Sequence, residues 1–167
     1  MIFREGELEF DFSDAIHGFK FDETDKQSIY YHDLSHCMKA VDFIVELEND
    51  YLFVEVKDFN APEQYDQPEQ FRNLRNALKD KFRDTFLYRF AEIKVDKPIR
   101  YLCLMTLEDA LISRLMKEMR RVIPEGMASA RWKTAVAKSC VVANINRWNH
   151  RFPKWPVCRI KSGEATS

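Results

Sequence analysis

Val41-Asp42-Phe43-Ile44-Val45-Glu46-Leu47 is followed by Glu48-Asn49-Asp50-Tyr51 and then by Leu52-Phe53-Val54-Glu55-Val56-Lys57. The two outer runs are rich in β-branched and aromatic residues, and Asn49-Asp50 is a turn signal between them, so the stretch predicts a β-hairpin. A two-residue turn pairs Glu48 with Tyr51, Ile44 with Glu55 and Asp42 with Lys57. Side chains two apart in a strand share a face. Asp42, Glu55 and Lys57 therefore converge on one face at the open end of the hairpin. Directly opposed residues have Cβ atoms roughly 5 Å apart and diagonal ones roughly 7–8 Å.

The other face carries Val41, Phe43, Val45 and Leu47 against Leu52, Val54 and Val56. It holds no polar residue and must meet a core. A slip of one residue would bury Glu55 and Lys57 and expose the valines, so burial selects the register.

Two carboxylates and an ammonium at this spacing suit a hard divalent cation. Magnesium takes oxygen ligands, keeps several waters and is held by one or two carboxylates, with substrate phosphate completing its shell. Asp42 and Glu55 are the candidate ligands, and the Val56 carbonyl is a third. Lys57 is placed to orient an attacking water and to offset charge in the transition state. Glu23 is the leading candidate for a further acid.

Outward from the hairpin, Leu8-Glu9-Phe10-Asp11-Phe12 alternates as a short strand or extended arm. Residues 14–38 give no clear period; Phe19, Phe21, Ile29 and Tyr30 are the anchors there, and a helix is compatible with them. Phe59-Asn60-Ala61-Pro62 reads as a loop. Pro68 fits the first turn of a helix capped by Asp66 or Gln67. That helix repeats Phe71, Leu74, Leu78, Phe82, Phe86 and Phe90 at three- and four-residue steps and is expected to end near Val95. A buried strand follows over Ile99 to Met105, then an amphipathic helix over Glu108 to Val122, broken by Pro124-Glu125-Gly126. A helix over 128–138, a strand over Cys140 to Ile145, a short helix over Asn146 to Phe152 and a short strand over Pro156 to Ile160 complete the reading. Strands alternating with helices predict an α/β layer fold with a central mixed β-sheet flanked by helices.

The hairpin resembles the core of the PD-(D/E)XK nucleases, the restriction-endonuclease-like superfamily. There an Asp near one strand precedes Glu-x-Lys or Asp-x-Lys on the next; here these are Asp42 and Glu55-Val56-Lys57, followed by a helix and a strand. The resemblance covers roughly residues 14–105 as topology and four positions as motif. It implies a restriction-endonuclease-like αβββαβ core, Mg²⁺ or Mn²⁺ as cofactor, and hydrolysis of DNA phosphodiester bonds. Glu23, in Phe21-Asp22-Glu23, would correspond to the acid that many members carry on the first helix. Two departures stand out. Val41 replaces the Pro that often precedes the Asp, and no clear Gln-x-x-x-Tyr element is present: Gln70 is followed by Leu74, with Gln64 and Gln67 as weaker stand-ins. The competing reading is a nuclease-fold protein without turnover that serves as a binding or assembly subunit, since fold and function separate easily.

The 167 residues predict a single nuclease-like domain over 1–167, with 46% hydrophobic and 32% charged residues. Charge is uneven along the chain. Residues 1–66 hold 17 Asp and Glu against 5 Lys and Arg, whereas 127–163 hold 8 Lys and Arg and no acid. Acids thus gather where a cation would bind and bases where phosphate would be gripped. Arg72, Arg75, Lys79 and Arg83 recur on one flank of the long helix as candidate DNA contacts; a solvated face with Asp80 and Asp84 is the alternative. Arg147, Trp148, His150, Arg151, Lys154, Trp155, Arg159 and Lys161 mix aromatics with bases, the tryptophans being better read as core. No separate DNA-reading segment is evident, which leaves specificity to a partner protein or a homodimer.

Other chemistries find little support. His32, His36 and Cys37 lack a third and fourth zinc ligand at suitable spacing, and neither Gly-x-Ser-x-Gly nor a glycine-rich phosphate loop occurs. No apolar run approaches the ~20 residues of a membrane span. The start of the chain lacks signal-peptide features, and the four cysteines are widely spaced, so a cytoplasmic protein with buried free thiols is expected.

Overall fold

A computed structural model describes residues 1–160. The central sheet grows from the quoted hairpin. β4 (Phe43–Glu46) and β5 (Tyr51–Lys57) pair antiparallel, and β3 (His17–Lys20) adds antiparallel to β4. On the other side β6 (Ile99–Met105) and β7 (Ser139–Ala143) add parallel to β5. The order is β3-β4-β5-β6-β7, a mixed five-stranded sheet. A second, antiparallel sheet joins β1 (Ile2–Glu5), β2 (Leu8–Asp11) and β8 (Val157–Arg159).

One face of the central sheet carries Ile44, Tyr51, Phe53, Tyr101 and Cys103. It packs on α1 (Pro68–Ala91) through Phe71, Leu74, Leu78 and Phe82, and on α2 (Asp109–Val122) through Leu111, Ile112, Leu115 and Met119. The opposite face carries Phe43, Val45, Leu52, Val54 and Val56. It packs on Leu8, Phe10 and Phe12 of the small sheet and on Trp148 of α3 (Ile145–Arg151). Trp148 and Trp155 are buried, so the aromatics of the basic tail belong to the core. No helix among the described residues is long and apolar enough to cross a membrane. Lys161 lies outside the described residues.

α1 starts with Pro68 at its first position, where a missing N–H costs nothing, and Glu69 in its first turn favours the positive helix end. It stops at Ala91 rather than near Val95. Ile93 enters the left-handed region (φ 58°), and Lys94 N–H closes on the Arg89 carbonyl at 2.9 Å.

The hairpin departs from its expected register. Four residues, 47–50, connect the strands, and Glu46 rather than Glu48 pairs with Tyr51. Asn49-Asp50 does not make a free two-residue turn because Asp50 is drawn inward. Its carboxylate, nearly buried, is held by Arg100 Nη2 at 2.7 Å and Lys138 Nζ at 2.8 Å. Leu47 N–H donates to the Asp50 carbonyl, and Lys97 clips Glu46 and the Leu47 carbonyl. The ladder slides by two residues, so every side chain keeps its face. Val41, just ahead of β4, is the exception and lies in the core under α1.

Other expectations are corrected as well. The described residues ahead of β4 contain no α-helix, so the first helix of an αβββαβ order is not seen; β3 and an irregular loop occupy residues 14–38. Ile29 is no anchor, being 88% exposed, whereas Phe21 is buried and Phe19 stacks on Tyr30 at 4.4 Å. Residues 128–138 are turns and bends instead of a helix, tied to the fold by the Glu125–Ala137 bridge.

Candidate functional site

Continuing the β4–β5 ladder one pair past Phe43–Val54 brings Asp42 opposite Glu55. Three hydrogen bonds fix Asp42. Its carbonyl accepts from Phe21 N–H at 2.8 Å, and Val41 N–H, one residue back, donates to Thr85 Oγ1 of α1 at 3.2 Å. Its carboxylate Oδ2 accepts from Val56 N–H. N–H and C=O of one strand residue point to the same side, so the Val56 carbonyl also faces the end of β4, while the Lys57 carbonyl faces β6 and accepts from Thr106 N–H.

Glu55 is fully buried, and its carboxylate meets two ammonium groups. Lys57 Nζ lies 3.4 Å from Oε1, and Lys81 Nζ of α1 lies 2.7 Å from Oε2. The same Lys81 Nζ is 3.7 Å from Asp42 Oδ1. Asp42, Glu55 and Lys57 therefore do come together as expected, with Lys81 as a fourth member. Lys81 carries a signal in the sequence. It sits three residues after Leu78, four before Thr85 and beside Phe82, on the stripe of α1 that faces the core. A lysine on an apolar stripe needs a buried partner.

The electrostatics follow from burial. Desolvation, reinforced by the Asp42 charge, pushes the Glu55 carboxyl up to about 7, against the opposing pull of Lys81 and Lys57. Asp42 is raised as well, by burial first, with Lys81 and the Val56 N–H opposing. Burial alone would lower the Lys81 ammonium, but Glu55 and Asp42 outweigh it and hold it above its ordinary value. Asp22 belongs to the same field: burial and then the Asp42 charge raise it to about 6. Glu23 behaves differently. Its Oε1 accepts from the N–H groups of Thr24 at 2.8 Å and Asp25 at 2.9 Å, closing its own turn.

Among the described residues no group of three or more His, Cys, Asp or Glu side chains could hold a metal ion. The donor set near Lys81 is thus two carboxylates and a carbonyl. Two buried carboxylate oxygens, Glu55 Oε1 and Asp22 Oδ1, accept no hydrogen bond. Each does face an ammonium, Glu55 Oε1 at 3.4 Å from Lys57 Nζ and Asp22 Oδ1 at 3.9 Å from Lys20 Nζ; an oxygen without a hydrogen bond can still join the shell of a hard cation that retains water. A cavity of about 400 Å³ lined by Asp22, Glu23, His32, Lys39 and Lys81 opens beside this cluster.

The candidate DNA contacts on α1 are mostly engaged. Arg75 pairs with Glu118, Lys79 with Asp80, and Arg83 with Asp80 and Asp84; Arg72 is exposed. Neither protein-family models, nor curated proteins, nor solved structures give a significant match to this chain.

Proposed function

We propose that this protein is a divalent-cation-dependent nuclease of the PD-(D/E)XK kind that hydrolyses DNA phosphodiester bonds. The observation that carries the reading is the meeting of Asp42, just ahead of β4, and Glu55 of β5 around one ammonium, with Lys57 on the Glu55 carboxylate. The order β3-β4-β5, α1, β6 supports a restriction-endonuclease-like core that lacks its first helix. Asp42 and Glu55 would hold Mg²⁺ or Mn²⁺, with the Val56 carbonyl as a further oxygen. Bound there, the cation would lower the pKa of its water and neutralise charge on the scissile phosphate. Lys57, whose side chain is 40% exposed, reaches both Glu55 and solvent and is the group to orient the attacking water. Asp22 shares the electrostatic field of Asp42 but does not complete a three-carboxylate metal group with Asp42 and Glu55, and Glu23 closes its own turn.

The test is cleavage of plasmid and oligonucleotide DNA by purified protein in Mg²⁺ or Mn²⁺, with Asp42→Ala and Lys57→Ala alongside. Activity in the parent and loss in both variants supports the reading; equal cleavage by all three identifies a contaminant.

Lys81 favours the second reading, a catalytically silent binding or assembly subunit. Its ammonium already gives both carboxylates a cation, 2.7 Å and 3.7 Å away. Calorimetry showing no uptake of Mn²⁺ would select that reading.

A further inference from the structure

The edge of the central sheet away from β3 is β7, and a cleft of about 670 Å³ runs along it between α2 and α3. Val141, Val142 and Ala143 form its floor. Its charged lining is Arg120, Arg147, His150 and Arg151 against a single acid, Asp109. Arg147 already takes that acid: its Nε lies 2.8 Å from Asp109 Oδ1, and Asn144 Nδ2 donates to the same oxygen. Arg120, His150 and Arg151 are exposed and have no carboxylate partner among the described residues. The flank of α1 is different, since its Arg75, Lys79 and Arg83 are paired with acids.

The cleft stands in a defined relation to the carboxylate cluster. Glu55 is in register with Cys103, and Cys103 with Val142 on the cleft floor. Two strand spacings amount to about 10 Å, measured through the core across the fully buried Cys103, so this is a separation between the two places and not a path along which DNA could run. Val142 N–H is turned outward and capped by Met116 Sδ at 3.2 Å, so this part of the edge is not open to an added strand. What the cleft offers is cationic side chains.

We infer that the α2–β7–α3 cleft binds the phosphodiester backbone of DNA. The choice of DNA as the polyanion rests on the nuclease reading. Guanidinium groups match phosphate oxygens in a bidentate fork. Such contacts fix affinity and register without reading sequence.

The experiment uses the full chain with Asp42→Asn, in EDTA, so that no cleavage enters the measurement. Fluorescence anisotropy of a labelled single strand and of its duplex is read between 50 and 200 mM salt. Arg120→Gln/Arg151→Gln is compared with the charge-matched Arg131→Gln/Lys133→Gln, whose residues lie outside the cleft, after thermal melts establish that both fold. The cleft variant is expected to lose about tenfold or more in affinity, and its log–log salt slope should fall by about 2. The control should change far less. Equal binding by the cleft variant and the parent, or an equal loss in the control, overturns the inference. So does binding that a poly-glutamate chain competes away at the same charge concentration, because an acidic protein segment would then be the occupant. Salt-dependent DNA binding through the cleft without any metal-dependent cleavage would sink the nuclease reading and leave the cleft standing.

Discussion

Lys81 Nζ on α1 and Glu55 Oε2 on β5 lie 2.7 Å apart, 26 residues apart in sequence, and the carboxylate end of this pair has no exposed surface. Removing one partner of a buried ion pair leaves an uncompensated charge and costs about 3–5 kcal/mol. Lys81→Met keeps the length of the side chain and removes its charge. We expect a loss of that size in urea unfolding at pH 8. At pH 5 the loss should shrink, because Glu55 takes up a proton instead. An equal loss at both values would assign Lys81 a packing role only.

The same substitution separates the two functional readings. If Lys81 stands in for a cation, removing it should raise the affinity of the site for Mn²⁺, measured by calorimetry on folded Lys81→Met at neutral pH. Asp42→Asn in the same background should abolish the added binding. Heat of binding unchanged by either substitution would place any metal elsewhere on the protein.

Folding raises the Glu55 carboxyl from its ordinary 4.5 to about 7, so the native state holds this proton more tightly than the unfolded chain does. Stability is therefore highest below about 4.5 on this account and falls as pH climbs through 7, by about 3 kcal/mol in all. Asp22, raised to about 6, acts in the same direction over a lower window. Urea midpoints between pH 4.5 and 8 should decline toward the alkaline end. Glu55→Gln should flatten the curve. A parent curve that rises over this range would contradict the buried, proton-retaining carboxyl.

Thr85 is buried on α1, and its hydroxyl accepts from the Val41 N–H beside Asp42. Thr85→Val preserves shape and strands that donor, which costs about 1–3 kcal/mol. If the bond also positions Asp42, affinity for Mn²⁺ should fall about tenfold. Thermal melts and calorimetry on one sample report the two effects separately.

Where hydrophobic period was unbroken, the elements were readable from residues alone: Ile99–Met105 is the strand expected, and α2 ends at the expected Val122. Residues 14–38 were opaque because their order comes from distant partners, such as Phe21 against Tyr88 at 5.0 Å, and no local period records that. The shared face of Asp42, Glu55 and Lys57 is the same for a two-residue and a four-residue connection, because strand side chains repeat every two residues and the two registers differ by two. Lys81 looks like any other cation of this helix in the sequence unless its place on the apolar stripe is weighed. Its role depends on which way α1 lies on the sheet, a tertiary fact.

The register itself can be trapped. In the structure Val45 faces Leu52, whereas a two-residue turn at Asn49-Asp50 would set Val45 against Val54. Directly opposed strand residues have Cα atoms about 4.5–5.5 Å apart, within the range a disulfide spans. In a background with the exposed Cys37 and Cys158 replaced by serine, Val45→Cys/Leu52→Cys should oxidise to an intrachain disulfide, and Val45→Cys/Val54→Cys should not. Peptide mapping under non-reducing conditions reads the outcome. Adding Asp50→Gly removes the carboxylate held by Arg100 and Lys138 and creates Asn-Gly, the favoured two-residue turn. That change should shift cross-linking toward the second pair, with Asp42 moving opposite Lys57. Failure of the first pair to close while the second closes readily in the unaltered loop would refute the observed ladder and the alignment of Asp42 with Glu55.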